Sequence, residues 1–215
     1  MVARLAVTLH AGLLSMQPGR VQADMALVMA SALLHDITKT PCLAGNCHHA
    51  ELEAEICLAE GYPKVTYIVG QHVRLDPFDE AGYEDGYFGP RELVHYADKR
   101  VRHHSIVSLD ERLDYVLQRY GEHDAARCRS LEKHFGQCRL LERLLFRWLP
   151  FPPEALLPAI PESLFKLLDG LGTFPTRRTV CSKHQFQLGG DLFQQAAPGE
   201  LGEFFELCSF HLRIL

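Results

Sequence analysis

Residues 21–39 read VQADMALVMASALLHDITK. From Val21 to His35 the residues are apolar on nearly every side, and a helix of that kind belongs in the middle of a core. The stretch ends on an adjacent pair, His35-Asp36, and runs into DITKTPCLAGNCHH, residues 36–49, where Pro41 and Gly45 mark a loop. An imidazole and a carboxylate therefore leave the most apolar helix of the chain together.

Working outward, residues 2–14 read as a helix closed by Gln17-Pro18-Gly19. With a single Arg, no basic leader and His10 in its middle, this segment reads as a core helix and not as a signal peptide. Downstream, HAELEAEICLAE (49–60) has helical spacing and stops at Gly61, and Pro63 sits where a first helical turn accepts it. Val65, Ile68, Val69 and His72 share one helical face. Residues 75–89, LDPFDEAGYEDGYFG, read as a long loop in which Tyr83, Tyr87 and Phe88 line a cleft or anchor the loop. Pro90 opens a helix with Leu93, Val94, Ala97 and Val101 buried. Leu109, Leu113, Val116, Leu117 and Tyr120 form the next stripe, and a longer helix covers 123–149. Past Leu149 prolines punctuate the chain, with helical fragments expected at 162–169 and 200–212. The expected fold is all-α: a helical bundle over 1–149, then a weakly structured or irregular extension over 150–215 to which the sequence assigns no role.

A formal charge of -5 argues against a nucleic-acid surface, which needs clustered Lys and Arg. No apolar run is long enough to span a bilayer. The seven cysteines are odd in number and contain no CxxC, so reduced thiols and a cytoplasmic location are expected. Cys42 and Cys47 are too widely spaced for paired zinc ligands and read as structural.

The chemistry-bearing residues follow from the same pattern. His35 and Asp36 end one helix, His49 opens the next with His48 as its alternative, His72 faces inward, and Asp98 borders the Leu93–Val94–Ala97 face. Buried imidazoles and carboxylates are costly unless they pair or bind a metal. Mixed N and O donors suit a first-row divalent ion such as Fe, Mn, Zn or Ni, and less well Ca. The remaining histidines, His95 and His134 among them, read as caps or surface residues.

At these residues the chain resembles the HD superfamily of metal-dependent phosphohydrolases, of the HDIG type. ALLHDITK looks like its signature, HHAELEAEICLAEGYPKVTYIVGQHV like the segment carrying two further histidines, and ELVHYADKRV like the one carrying the last aspartate; the match covers roughly residues 1–120. The resemblance implies His35, Asp36 and Asp98 as metal ligands, with His49 and His72 as further ligands in members that hold two metals. It implies one or two divalent ions (Mn, Fe, Ni, Zn or Mg) and hydrolysis of a phosphomonoester or phosphodiester of a nucleotide or another small phosphorylated metabolite. Asp36 would orient the attacking water or take its proton, and Lys39 would face the substrate phosphate. Arg74, Arg100 and Arg102 are further phosphate candidates, Arg74 being placed in the substrate site. Nucleic acid and membrane are not expected partners, and a homodimer is open.

The family's first helix starts with a His that would fall just before Met1. Three explanations stand: a start further upstream, loss of that ligand, or substitution by His10, which lies about 12 Å further along a helix axis at ~1.5 Å per residue. Its loss motivates the alternative function, a non-catalytic HD module that binds a phosphorylated ligand as a regulator.

Overall fold

Asp and Ser caps open four of the helices in a computed structural model that describes residues 1–18, 24–40, 42, 47–121 and 124–162. Helix α1 is Val2–Met16, and α2 is Met25–Leu34. The sequence expectation began the second helix at Val21, but the Asp24 carboxylate accepts the Ala26 and Leu27 amides (2.7 and 3.3 Å) and starts it at Met25. Helix α3 is His49–Ala59 and α4 is Pro63–Gly70. Between them Gly61 takes φ +87, a left-handed turn that ends α3 without steric penalty.

Within the expected loop 75–89 lies one short helix, α5 (Glu80–Glu84), capped by Asp79. The buried Tyr83 ring stacks on Phe88 at 5.4 Å, meets Phe78 edge-on, and donates its hydroxyl to Glu92 at 3.0 Å. Of the two roles open to these aromatics, Tyr83 and Phe88 anchor the loop, while Tyr87 is exposed. Helix α6 is Pro90–Arg100. A two-stranded antiparallel ribbon then pairs β1 (Val101–Arg102) with β2 (Ser105–Ile106), Val101 opposite Ile106. Strands of two residues carry no readable periodicity. Helix α7 is Leu109–Tyr120, opened by a capping box between Ser108 and Glu111, and α8 is Ala125–Leu145, capped by Asp124. Two 3₁₀ turns and α9 (Leu156–Ala159) follow.

The described chain is thus all-α apart from the small ribbon. Helix α1 packs on α2 and α6, α3 on α4, α2 on α4 and α6, and α7 on α8. The main core joins Leu5, Leu9 and Leu13 to Met29, Leu93, Val94, Phe135 and Leu141, and Leu156 and Ile160 beyond residue 149 pack on it too. A smaller cluster, Ala30, Leu34, Cys57, Val65 and Val69, ties α2 to α3 and α4. The helical fragments expected at 162–169 and 200–212 lie outside the described residues, Glu162 excepted. No helix among the described residues is long and apolar enough to cross a membrane.

Helix α6 differs most from its sequence pattern. Every residue from Arg91 to Arg100 is buried, not only the Leu93–Val94–Ala97 stripe. Its polar groups find partners within the helix and in the surrounding elements, as burial requires. Arg91 pairs with Glu92, and Arg100 binds Glu142 (2.6 Å), the Tyr96 hydroxyl and the Val107 carbonyl.

The expectation of reduced cysteines fails at one place. Cys42 and Cys47 are joined by a disulfide, their Cα atoms 4.8 Å apart. Linear spacing does not reveal such a pair, because the approach depends on how the loop turns back. Cys57, Cys128 and Cys138 are free thiols.

Leu93→Ala removes a fully buried side chain from the centre of this packing. It is expected to destabilise the fold by about 2–5 kcal/mol, read as a lower urea midpoint with an unchanged slope.

Candidate metal centre

Helix α2 ends at Leu34, and the chain turns through residues 35–38. His35 bends back so that its Nδ1–H donates to the Ala32 carbonyl at 2.7 Å. A carbonyl only accepts, so Nδ1 carries a proton and Nε2 is the nitrogen turned toward the centre. Nε2 lies 3.5 Å from Asp36 Oδ2 and 3.7 Å from Asp98 Oδ1. His72, just past α4, repeats the device: its Nδ1–H donates to the Val69 carbonyl at 2.6 Å, leaving Nε2 bare. That nitrogen stands 3.2 Å from His49 Nε2, and both are 3.7 Å from Asp36 Oδ1.

The five residues proposed from the sequence as ligands thus meet in one place, as two triads with a shared member. His35, Asp36 and Asp98 form one, and Asp36, His49 and His72 the other; within each, the donor atoms lie within 4.8 Å of one another. Asp36 is the junction, with Oδ2 toward His35 and Oδ1 toward His49 and His72. His49 belongs to the centre, while His48 is exposed at the start of α3. His10 is buried in α1 and belongs to neither triad.

The donor set fits a cation. His35 Nε2 and Asp36 Oδ1 are buried and have no hydrogen-bond partner among the described residues. Nδ1 bonds to backbone carbonyls are the usual way in which a metal-binding imidazole is fixed in tautomer and direction. Burial pushes the His72 ring down to about 3 and lowers His49 as well, so both rings are neutral at physiological pH, the state in which an imidazole can hold a metal. Burial also opposes protonation of His35, but Asp98 and then Asp36 outweigh it and its pKa is raised. Asp98 is held well below the usual carboxylate range: burial opposes ionisation, and Lys99 and His35 overcome it. Lys99 grips Asp98 Oδ2 at 2.7 Å and the His72 carbonyl at 3.0 Å, turning Oδ1 toward His35.

Lys39 stands at the rim, about a third of its side chain exposed, with Nζ 2.6 Å from Asp36 Oδ2. Arg74 is exposed and contacts Ser130 on α8 at 3.5 Å. Arg100 is occupied by Glu142 and Tyr96, and Arg102 lies over the Tyr115 ring. The arginine beside the centre is Arg112 of α7, 3.9 Å from Asp98 Oδ1 and acting on Lys39 as well. The sequence reading missed it; its one cue was a place inside the Leu109–Leu113–Val116 stripe, three residues after Leu109.

Glu53 was also hidden. Fully buried, it accepts the Thr38 amide at 3.2 Å through Oε1, which lies 3.1 Å from the Thr38 hydroxyl. It thereby fastens the turn that carries Asp36 and Lys39. The sequence reading singled out none of the glutamates of this helix; the one cue was the spacing of four from Cys57, the other buried residue of α3. Burial pushes its carboxyl up from 4.5 to about 8. An open cleft of about 580 Å³ lined by Tyr67, Ile68 and Arg91 shares none of these residues.

Comparison with known proteins gives no match to any family model, curated protein or solved structure.

Glu53 has a measurable signature. In the fold its carboxyl stays neutral until about pH 8, whereas the unfolded chain ionises near 4.5, so stability falls as pH rises between those values. Glu53→Gln in chelator-treated protein is expected to flatten the fall in urea midpoint from pH 5 to 8; an unchanged slope would assign it to other groups.

Proposed function

We propose that the chain is an HD-type metal-dependent phosphohydrolase, acting on a phosphomonoester or phosphodiester bond of a nucleotide or another small phosphorylated metabolite. The observation that carries this reading is Asp36, whose two carboxylate oxygens address two separate sets of ligands. His35, Asp36 and Asp98 would hold one divalent ion, and Asp36, His49 and His72 a second. Bound there, such ions supply Lewis acidity toward a phosphoryl oxygen and acidify water to near neutrality.

The chain's own groups do the rest. Lys39 places an ammonium beside Asp36 and Arg112 a guanidinium beside Asp98, the two close enough to act on each other. A phosphate arriving there meets positive charge that needs little reorganisation. Thr38 and Glu53 hold the turn so that Asp36 and Lys39 stay in register. Lys99 fixes Asp98, and Nδ1 bonds fix His35 and His72, which places the donors before any ligand binds.

The test is elemental analysis of the purified chain, followed by mono-, di- and cyclic nucleotides with Mn, Fe, Ni, Zn and Mg. His35→Ala and Asp36→Ala are each expected to cut turnover by at least about 100-fold. Arg112→Ala is expected to lower kcat/KM by about tenfold or more. Hydrolysis unchanged in both dyad variants overturns the proposal; metal and phosphate-ester binding without turnover favours the regulatory module instead.

A further inference from the structure

We infer that His95, His134 and Cys138 form a second, sulfur-containing metal site that takes Zn2+ as a tie between α6 and α8. The site is distinct from the His35–Asp36 centre and does not depend on its function.

His134 and Cys138 are four residues apart on α8, so they share one helical face, and His95 meets them from α6. Cys138 Sγ lies 3.5 Å from His95 Nε2 and 3.7 Å from His134 Nε2, and the three donors fall within 4.8 Å of one another. With Zn–S near 2.3 Å and Zn–N near 2.0–2.1 Å, a tetrahedral ion separates its sulfur and nitrogen ligands by about 3.5 Å. The two observed sulfur–nitrogen edges therefore match those of a Zn2+ coordination shell.

The proton inventory points the same way. His95 is almost fully buried, and its Nδ1–H donates to the His72 carbonyl at 2.9 Å, so Nε2 holds a lone pair. The thiol proton can serve His95 Nε2, while His134 faces the same sulfur through its own Nε2. His134 Nδ1 is itself buried without a hydrogen-bond partner among the described residues. Burial also lowers the pKa of both rings, His134 to about 4, so both are neutral.

Binding is written as an exchange. Zn2+ accepts lone pairs from the two nitrogens and the sulfur, and the thiol proton leaves to solvent, with no change of oxidation state. Burial pushes the thiol up to about 11, so one proton is released per ion bound at neutral pH. Asp98 favours a cation at all three donors, Arg74 opposes it at His134 and Arg139 at Cys138, and Lys99 opposes it at all three. Lys99 is held by Asp98 Oδ2 at 2.7 Å, and the new thiolate offsets the incoming cation. Water or a small ligand completes the tetrahedron.

Sulfur makes the site separable from its neighbour, whose donors are all nitrogen and oxygen. Chelator-treated full-length chain is titrated with Co2+ and read by the thiolate-to-cobalt charge-transfer absorption. The band is expected in the wild type, in Cys128→Ser and in His35→Ala, and Zn2+ should bleach it. It is expected to be lost in Cys138→Ser. His134→Ala, at a half-buried position, carries the same expectation should the Cys138 variant fail to fold. A wild type without the band, or a band that persists in both Cys138→Ser and His134→Ala, overturns the inference. An empty His35–Asp36 centre leaves the band unchanged, so failure of one site is distinguishable from failure of the other.

Discussion

Charge buried without a partner is the dearest thing a fold can contain, and this chain concentrates buried ionisable groups where α2, α3, α4 and α6 meet. Asp36 stands at that meeting point with one oxygen toward each of two imidazole groups. Around it the signs are compensated pair by pair: Lys39 with Asp36, Lys99 with Asp98, and Arg112 beside Asp98. His49 and His72 stay neutral because burial lowers their pKa. Removing a single member strands its partner in low dielectric, which costs more than the pair itself contributes. The same argument explains why the donors are preset, since each buried ring is steered by a backbone carbonyl.

That constraint makes α6 the spine of the molecule. A helix buried on every side needs a polar partner for every polar residue, and α6 finds them along its length. Arg91 and Glu92 close one end against Tyr83, and Arg100 closes the other against Tyr96 and Glu142. Between these two networks lie His95, Asp98 and Lys99, which reach both candidate metal sites. The two sites also touch directly, because the His95 ring holds the carbonyl of His72. Donors mounted on packed helices are held more closely than donors on free loops. Two donor-bearing segments are irregular: the turn 35–38, which Glu53 secures through Thr38, and the bend at His72, which its bond to the Val69 carbonyl and the Lys99 contact hold.

Much of the framework was legible along the chain. The apolar run ending at His35, the Gly61 stop, Pro63 and the Pro90 start all follow from periodicity and backbone chemistry, and the helices stand where those signals put them, with α2 starting four residues later. The five residues His35, Asp36, His49, His72 and Asp98 were readable as a set because each ends or lines a buried face. Glu53 and Arg112 were not, because a charged residue within an amphipathic helix looks solvated until its neighbours are known. The Cys42–Cys47 bond was invisible for a related reason: a loop's path is not written in its spacing.

Local sequence determined which segments are helical, where they stop, and which face of each seeks the interior, because those properties depend on neighbours within a few residues. Tertiary structure alone decided that Asp36 is shared by two groups, that Lys99 turns Asp98 toward His35, and that His95 faces His134 and Cys138 across α6 and α8. The physical reason is range. Propensity and capping act over one helical turn, whereas the pairing of buried charges and lone pairs is set by which helices pack side by side, and no single segment contains that information.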